Sequence, residues 1–208
     1  MTDLGAKVLG ITGGIASGKS AVATCFVNWG AFLVDADQIA HEILAPDSPG
    51  LAAVQAQFGP AYLRADGSLD RAKLGQLVFS EPQALAQLNQ LTQPRIRAAI
   101  TAAIARGRES GAPLVVAEIP LLIEENYQTL CDGILVADLP EALQLARVQQ
   151  RDGLTKVAAQ ARLAAQIGRT QRLATADFIL DTSQDLATLT ANFQRFVRSA
   201  AFQSWLRS

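Results

Sequence analysis

The sequence predicts an α/β fold, a mainly parallel sheet of about five short strands flanked by helices. Three observations carry that prediction. Brief aliphatic runs alternate with longer segments of helical periodicity. Half of the 208 residues are hydrophobic, enough for a sizeable buried core. A glycine-rich loop, "GGIASGKS" at 13–20, follows the first aliphatic run and opens directly into a helical pattern.

The strand candidates are "KVLGIT" (7–12), "AFLVD" (31–35), "PLVVAEI" (113–119), "GILVAD" (133–138) and "DFILD" (177–181). They are short and aliphatic and do not strictly alternate, the pattern of strands buried on both faces. Helices are predicted over 18–29, ending at Gly30, and over 141–151, with Pro140 just before the start. From Gln38 to Ser110 the signals are helical only. Leu74, Leu77 and Val78 share one face there, as do Ile96, Ile100 and Ile104, and Pro46, Pro49, Pro60 and Pro82 divide the stretch into short helices.

The expected organisation is therefore a core from 1–37, 111–146 and 174–208, with a helical insertion at 38–110 and a second insertion at 147–173. That last segment holds six basic side chains, Arg147, Arg151, Lys156, Arg162, Arg169 and Arg172, against one acid, Asp152.

Eighteen basic and nineteen acidic residues leave the whole chain at -1, which argues against bulk electrostatic binding to nucleic acid or an anionic membrane. Cys25 and Cys131 lie far apart without metal-like spacing, so a reducing compartment fits better than a disulfide scaffold. No apolar run reaches the length of a membrane span, and "MTDLGAK" has no apolar core of a signal peptide. The expectation is a cytoplasmic protein, monomeric or weakly oligomeric, with small-molecule partners.

Residues 13–20 satisfy G-x-x-x-x-G-K-[ST]. Glycines let consecutive backbone N–H groups turn inward as an anion nest at a helix N-terminus. Gly13, Gly14, Ile15, Ala16, Ser17, Gly18, Lys19, Ser20 and Ala21 are the candidate phosphate-binding residues. Lys19 supplies a mobile charge for the β- and γ-phosphates, and the Ser20 hydroxyl is a hard-oxygen ligand for Mg²⁺. Asp35 and Asp37 leave the second strand, where open α/β sheets border their ligands. Asp37 is a candidate base for an attacking hydroxyl, or alternatively the N-cap of a helix starting at Gln38. Glu118 ends the third strand and is a candidate to orient Mg²⁺, or a strand-end acid with local hydrogen bonds; Glu124 is a further candidate on the substrate side. Arg147, Arg151, Arg169 and Arg172 would close over a transferring phosphoryl group, against the plainer reading of a solvated cationic face. His41 reads as a surface or packing residue, and Trp29 and Trp205 as packing residues.

Together these residues resemble the dephospho-coenzyme A kinase family over nearly the whole chain. The anchors are "TGGIASGKS" (12–20), "VDADQIAHEIL" (34–44), "DGSLDRAKLGQLVF" (66–79), "QPRI" (93–96), "PLLIE" (120–124), "QQRDGLT" (149–155) and "RLATADFILD" (172–181). The resemblance implies a P-loop kinase core with a helical substrate domain and a lid. It also implies ATP-dependent phosphorylation of the ribose 3′-hydroxyl of dephospho-coenzyme A. In the family pattern the catalytic base falls on Asp37 and the arginine opening the lid on Arg147. Three positions depart from that pattern: Ala21 where threonine is usual, Gln93 where histidine is common, and Thr182 where asparagine is usual. A kinase for another small alcohol remains an alternative, as does a nucleotide-dependent switch, although no N-K-x-D guanine-reading motif is present.

Overall fold

The computed structural model describes residues 5 to 208, so the signal-peptide reading of the N-terminus falls partly, at residues 1–4, outside the described residues. The chain divides into two compact units, Met1–Asp35 with Ile104–Ser208, and Ala36–Ala103. The first contains the sheet. Its strands are β1 (Val8–Thr12), β2 (Phe32–Asp35), β3 (Val115–Glu118), β4 (Gly133–Asp138) and β5 (Phe178–Asp181), within two residues of the expected bounds at each end. All neighbours are parallel, in the order β2-β3-β1-β4-β5. Every residue of β1 and β3 is buried, which is why these runs are aliphatic without alternation. The connection from β1 runs towards β2, and that from β3 crosses to β4. The neighbouring β1 and β3 therefore send their chains to opposite sides, which opens a crevice at their carboxyl ends. From β1 the glycine loop leads into α1 (Lys19–Trp29), which stops at Gly30 (φ 105°), whose N–H returns to the last turn.

The second unit is helical. It contains α2 (Ala36–Ile43), α3 (Pro49–Phe58), α4 (Arg71–Ser80) and most of α5 (Pro82–Glu109). Ser48 caps α3 ahead of Pro49, and the Asp70 carboxylate caps α4 by accepting the Lys73 N–H. Its core is Leu51, Val54, Leu69 and Leu74, with Leu77, Val78 and Leu88 packed alongside. Two expectations are corrected. The helix after β2 starts at Ala36, so Asp37 lies in its first turn, where a carboxylate complements the helix dipole, and is not an N-cap. The segment after Pro82 is one 28-residue helix that continues through Pro94.

The first unit is completed by α6 (Glu141–Asp152), α7 (Lys156–Ala164), α8 (Arg169–Ala174), α9 (Leu186–Val197) and α10 (Ala200–Arg207). Helices α9 and α10 close the core over α1 with aromatic rings. Phe26 meets Phe193 edge-on at 4.8 Å, Phe196 lies 4.7 Å from Phe202, and Trp29 and Trp205 both pack on Phe202. Both tryptophans thus pack, as expected. Cys25 is buried in this core, and burial pushes its thiol up. Cys131 donates its S–H to the Tyr127 carbonyl, and burial, with Asp132 beside it, pushes its thiol up to about 12. Among the described residues no helix is long and apolar enough to cross a membrane.

Phe202 is fully buried and touches five other rings. Phe202→Ala is expected to lower the unfolding free energy by about 3–5 kcal/mol, read from denaturant unfolding curves. A loss below about 1 kcal/mol would mean that this cluster does not hold α10 in place.

Candidate active site

The loop between β1 and α1 is built by holding its carbonyls away from its mouth. The Gly13 and Gly14 carbonyls accept from the Lys19 ammonium at 3.2 and 3.3 Å. The Gly14 carbonyl also receives the Ser17 N–H at 3.1 Å, and the Gly18 carbonyl receives the N–H groups of Ala21 and Val22. The Ser17 carbonyl is held by the Thr182 hydroxyl at 2.6 Å, and the Ala16 carbonyl by a long contact of 3.5 Å from Arg147. The turn needs left-handed backbone at Ala16 (φ 57°) and at Gly18 (φ 84°), the residue that leads into α1. The first two glycines are required by crowding. A Cβ on residue 13 would lie 2.4 Å from Ser17 Oγ, and one on residue 14 would lie 2.2 Å from Gln144 Oε1.

Ser20 opens the second position of α1, and its hydroxyl donates to Glu118 Oε1 at 2.7 Å. Glu118 is buried at the end of β3, in register with Ile11 of β1 and Asp35 of β2. The two residues expected to serve Mg²⁺ are thus in direct contact. A hydroxyl whose hydrogen goes to a carboxylate turns its lone pairs elsewhere, and one carboxylate with one hydroxyl suits an ion that keeps waters and phosphate oxygens as its other ligands. Among the described residues no group of three or more His, Cys, Asp or Glu side chains forms a self-sufficient metal cage.

A cleft of about 420 Å³ lies against the loop, lined by Ala16, Ser17, Gly18, Lys19 and Ser20 on one side and Arg147, Gln150 and Arg151 on the other. Arg147 is fixed by its 2.9 Å hydrogen bond to the Thr182 carbonyl as well as by its contact with Ala16. The other arginines of 147–173 are committed to carboxylates or carbonyls. Arg151 and Arg162 both pair with Asp152, and Arg151 and Asp152 push each other's pKa apart. Arg169 makes two bonds to Asp138, at 2.8 and 2.7 Å, which push its guanidinium up. Arg172 is buried and donates to the Ile167 carbonyl at 2.6 Å; burial pulls its guanidinium down, while Glu124, Asp138 and Glu141 oppose that shift. Glu124 accepts the Ile167 N–H at 3.2 Å, and Gln166 Oε1 accepts the Ile15 N–H of the loop at 2.7 Å.

Of the expected residues, Lys19, Ser20, Glu118 and Arg147 are gathered at the loop in one unit, whereas Asp37 belongs to the helical unit. Ala21 does not line the cleft; its N–H is used in the first turn of α1 and its methyl packs on the core. His41 Nδ1 lies 3.1 Å from the Asp37 carbonyl, within its own helix, where its N–H can donate. Gln93 lies in α5, next to Pro94. Thr182, in place of the usual asparagine, is buried, and its hydroxyl reaches the carbonyls of both Ser17 and Asp138. Sequence reasoning missed Asp138, Gln144 and Gln166. Uncharged amides carry no pattern, and the only pointer to Gln166 is its place just before the break at Gly168.

Gly14→Ala is expected to weaken nucleoside triphosphate binding by tenfold or more, roughly 1.4 kcal/mol or above, because the buried Gln144 cannot retreat. Isothermal titration reads it, and affinity within twofold of the wild type would show that the loop tolerates the methyl.

The dephospho-CoA kinase family model matches residues 7–188. A dephospho-CoA kinase of Latilactobacillus sakei is 40% identical over 196 residues, covering 94% of this chain and 96% of the relative. One of Corynebacterium jeikeium is 45% identical over 175 residues, covering 84% and 90%. The solved structure of a dephospho-CoA kinase from Campylobacter jejuni superposes with a TM-score of 0.72 at 31% identity, covering 95% of this chain and 98% of that one. With the loop, the Ser20–Glu118 pair and the parallel sheet already in place, these matches across both units establish that the chain belongs to the dephospho-CoA kinase family.

Proposed function

We propose that this protein transfers the γ-phosphoryl group of ATP to the ribose 3′-hydroxyl of dephospho-coenzyme A, giving coenzyme A and ADP, the last step of coenzyme A synthesis. One observation carries the reading: the family match runs unbroken from residue 7 to 188, through the phosphate loop, the helical unit and the arginine-rich segment alike. The net charge of -1 supports a protein of the cytoplasm that works on small molecules, without nucleic acid or membrane.

The chemistry follows from the groups available. The loop amides at the N-terminus of α1 would hold the ATP phosphates, while the N–H groups of Ile15 and Ser17 are bonded within the protein. Lys19 and Arg147 neutralise the charge that spreads over the transferring group. Ser20 and Glu118 are the residues that would hold Mg²⁺, which when bound offsets charge on the β- and γ-phosphate oxygens. The acceptor's 3′-oxygen attacks the γ-phosphorus, the bond to the β,γ-bridging oxygen breaks, and the Asp37 carboxylate takes the hydroxyl proton. The core would comprise 1–37, 111–146 and 174–208, with 147–173 closing as a lid over the phosphates. The helical segment 38–110 would receive the acceptor; Phe79, 90% exposed on α4, offers it an aromatic face beside Gly75 and Gln76.

The deciding measurement is an ATP assay with dephospho-coenzyme A in which NMR reads the position of the new phosphate. Phosphate on the 3′-oxygen is expected. Turnover of a different alcohol with none of dephospho-coenzyme A would overturn the acceptor, and nucleotide hydrolysis without transfer would favour a switch. Asp37→Asn is expected to lower kcat by about 10²–10⁴ with ATP affinity intact; near-normal turnover would remove Asp37 as the base.

A further inference from the structure

The Ile15 amide of the loop finds its hydrogen-bond partner in 147–173. It donates to Gln166 Oε1 at 2.7 Å, across 151 positions of sequence. That side chain is put in place by its neighbour. The Ile167 N–H is held by the Glu124 carboxylate at 3.2 Å, and the Ile167 carbonyl by the Arg172 guanidinium at 2.6 Å. Arg172 is 5% exposed and so is itself fixed by burial. One residue further on, α8 begins, and Arg169 fastens it to Asp138 at the end of β4 through two short bonds. On the other side of Gly14 stands a second amide, Gln144, whose Nε2 donates to the Leu139 carbonyl at 2.7 Å. Two neutral carboxamides, one from α6 and one from 147–173, therefore flank Gly14–Ile15.

We propose that Gln166 is a positioning residue for phosphoryl transfer, latching the returning limb of 147–173 onto the Ile15 amide so that the loop and the lid hold one register. The inference rests on the function proposed above. The chemistry explains why an amide stands here. A carboxylate would accept the Ile15 N–H equally well, but it would set a negative charge against the triphosphate. A lysine or arginine has no acceptor to offer an N–H. Gln166 satisfies the amide without charge. Its contribution is expected on the transfer step, because Gln166 bonds Ile15 and not the 18–20 turn at the N-terminus of α1, where the proposed phosphate site is centred.

The test uses the full-length protein with Gln166→Ala and Gln166→Glu. Hydrogen exchange at the Ile15 amide is expected to be tenfold or more faster in Gln166→Ala and to stay slow in Gln166→Glu, whose carboxylate still accepts. Turnover at saturating ATP and dephospho-coenzyme A is expected to fall about tenfold in Gln166→Ala, the worth of one hydrogen bond to a positioned group, with ADP affinity and thermal midpoint nearly unchanged. Gln166→Glu is expected to raise KM for ATP at least fivefold, a penalty that the alanine variant does not share. Unchanged exchange at Ile15 in Gln166→Ala overturns the latch. So does unchanged turnover, or a turnover loss matched by equal losses in ADP affinity and thermal midpoint. The exchange experiment needs no acceptor. A wild-type protein that ignores dephospho-coenzyme A, while Ile15 loses protection in Gln166→Ala, therefore counts against the proposed function and leaves the latch standing.

Discussion

A run of backbone amides can cradle an anion only if the carbonyls between them are held elsewhere, and the architecture of this chain answers to that constraint. Each peptide carries one donor and one acceptor, so pointing the donors inward leaves the acceptors needing partners. Lys19 takes the carbonyls of Gly13 and Gly14, Thr182 that of Ser17, Arg147 that of Ala16, and the first turn of α1 that of Gly18. Those partners come from α1, α6 and the residue after β5. The order β2-β3-β1-β4-β5 sets β1 in the middle of the sheet with β4 and β5 on one side of it. The ends of three strands and one helix thus converge on a loop of eight residues. Thr182 joins the two ends most directly, since its hydroxyl lies within reach of the Ser17 carbonyl at 2.6 Å and the Asp138 carbonyl at 2.8 Å.

The same reasoning separates the arginines of 147–173. A charged side chain loses less by pairing with a carboxylate than by facing an apolar surface alone; Asp152 pairs with Arg151 and Arg162, and Asp138 with Arg169. Those pairs tie α6 to α7 and α8 to β4, which gives the segment its shape. Arg147 differs from Arg151, Arg162 and Arg169 because its partners are carbonyls, and unlike the buried Arg172 it lines the cleft. Carbonyls satisfy its donors without cancelling its charge, so a full positive charge lines the cleft beside Lys19. Local excess charge is therefore divided between pairs that shape the segment and a charge set at the cleft.

Much of this was legible in the sequence, and the physical reasons differ by element. The five strands stood out because strands buried on both faces must be aliphatic and short. The loop stood out because its glycines answer to crowding and to left-handed backbone, demands that few residues meet. Boundaries that depend on the hand-over between elements were less visible: β2 passes into α2 at Ala36, with no irregular residue to mark the change, and Asp37 was displaced from cap to first turn. Prolines suggest a run of short helices over 38–110, yet α5 extends for 28 residues and carries Pro94 at an exposed position, where one missing hydrogen bond is tolerated. The partners of Arg169 and Gln166 were hidden because they depend on contacts 31 and 151 residues apart, and composition does not encode distance. Thr182 was legible only as a departure from a pattern. Its two hydrogen bonds show that the hydroxyl has work of its own.

The two cysteines acquire a meaning from the product. Coenzyme A ends in a thiol, and a protein that handles it at length risks forming a mixed disulfide whenever one of its own sulfurs is exposed as thiolate. Here Cys25 lies within the aromatic core, and Cys131 holds its proton up to about pH 12 while donating it to a carbonyl. Neither sulfur offers the anionic form that thiol–disulfide exchange requires. The packing that supports the sheet thereby also keeps the protein redox-silent towards the molecule it completes.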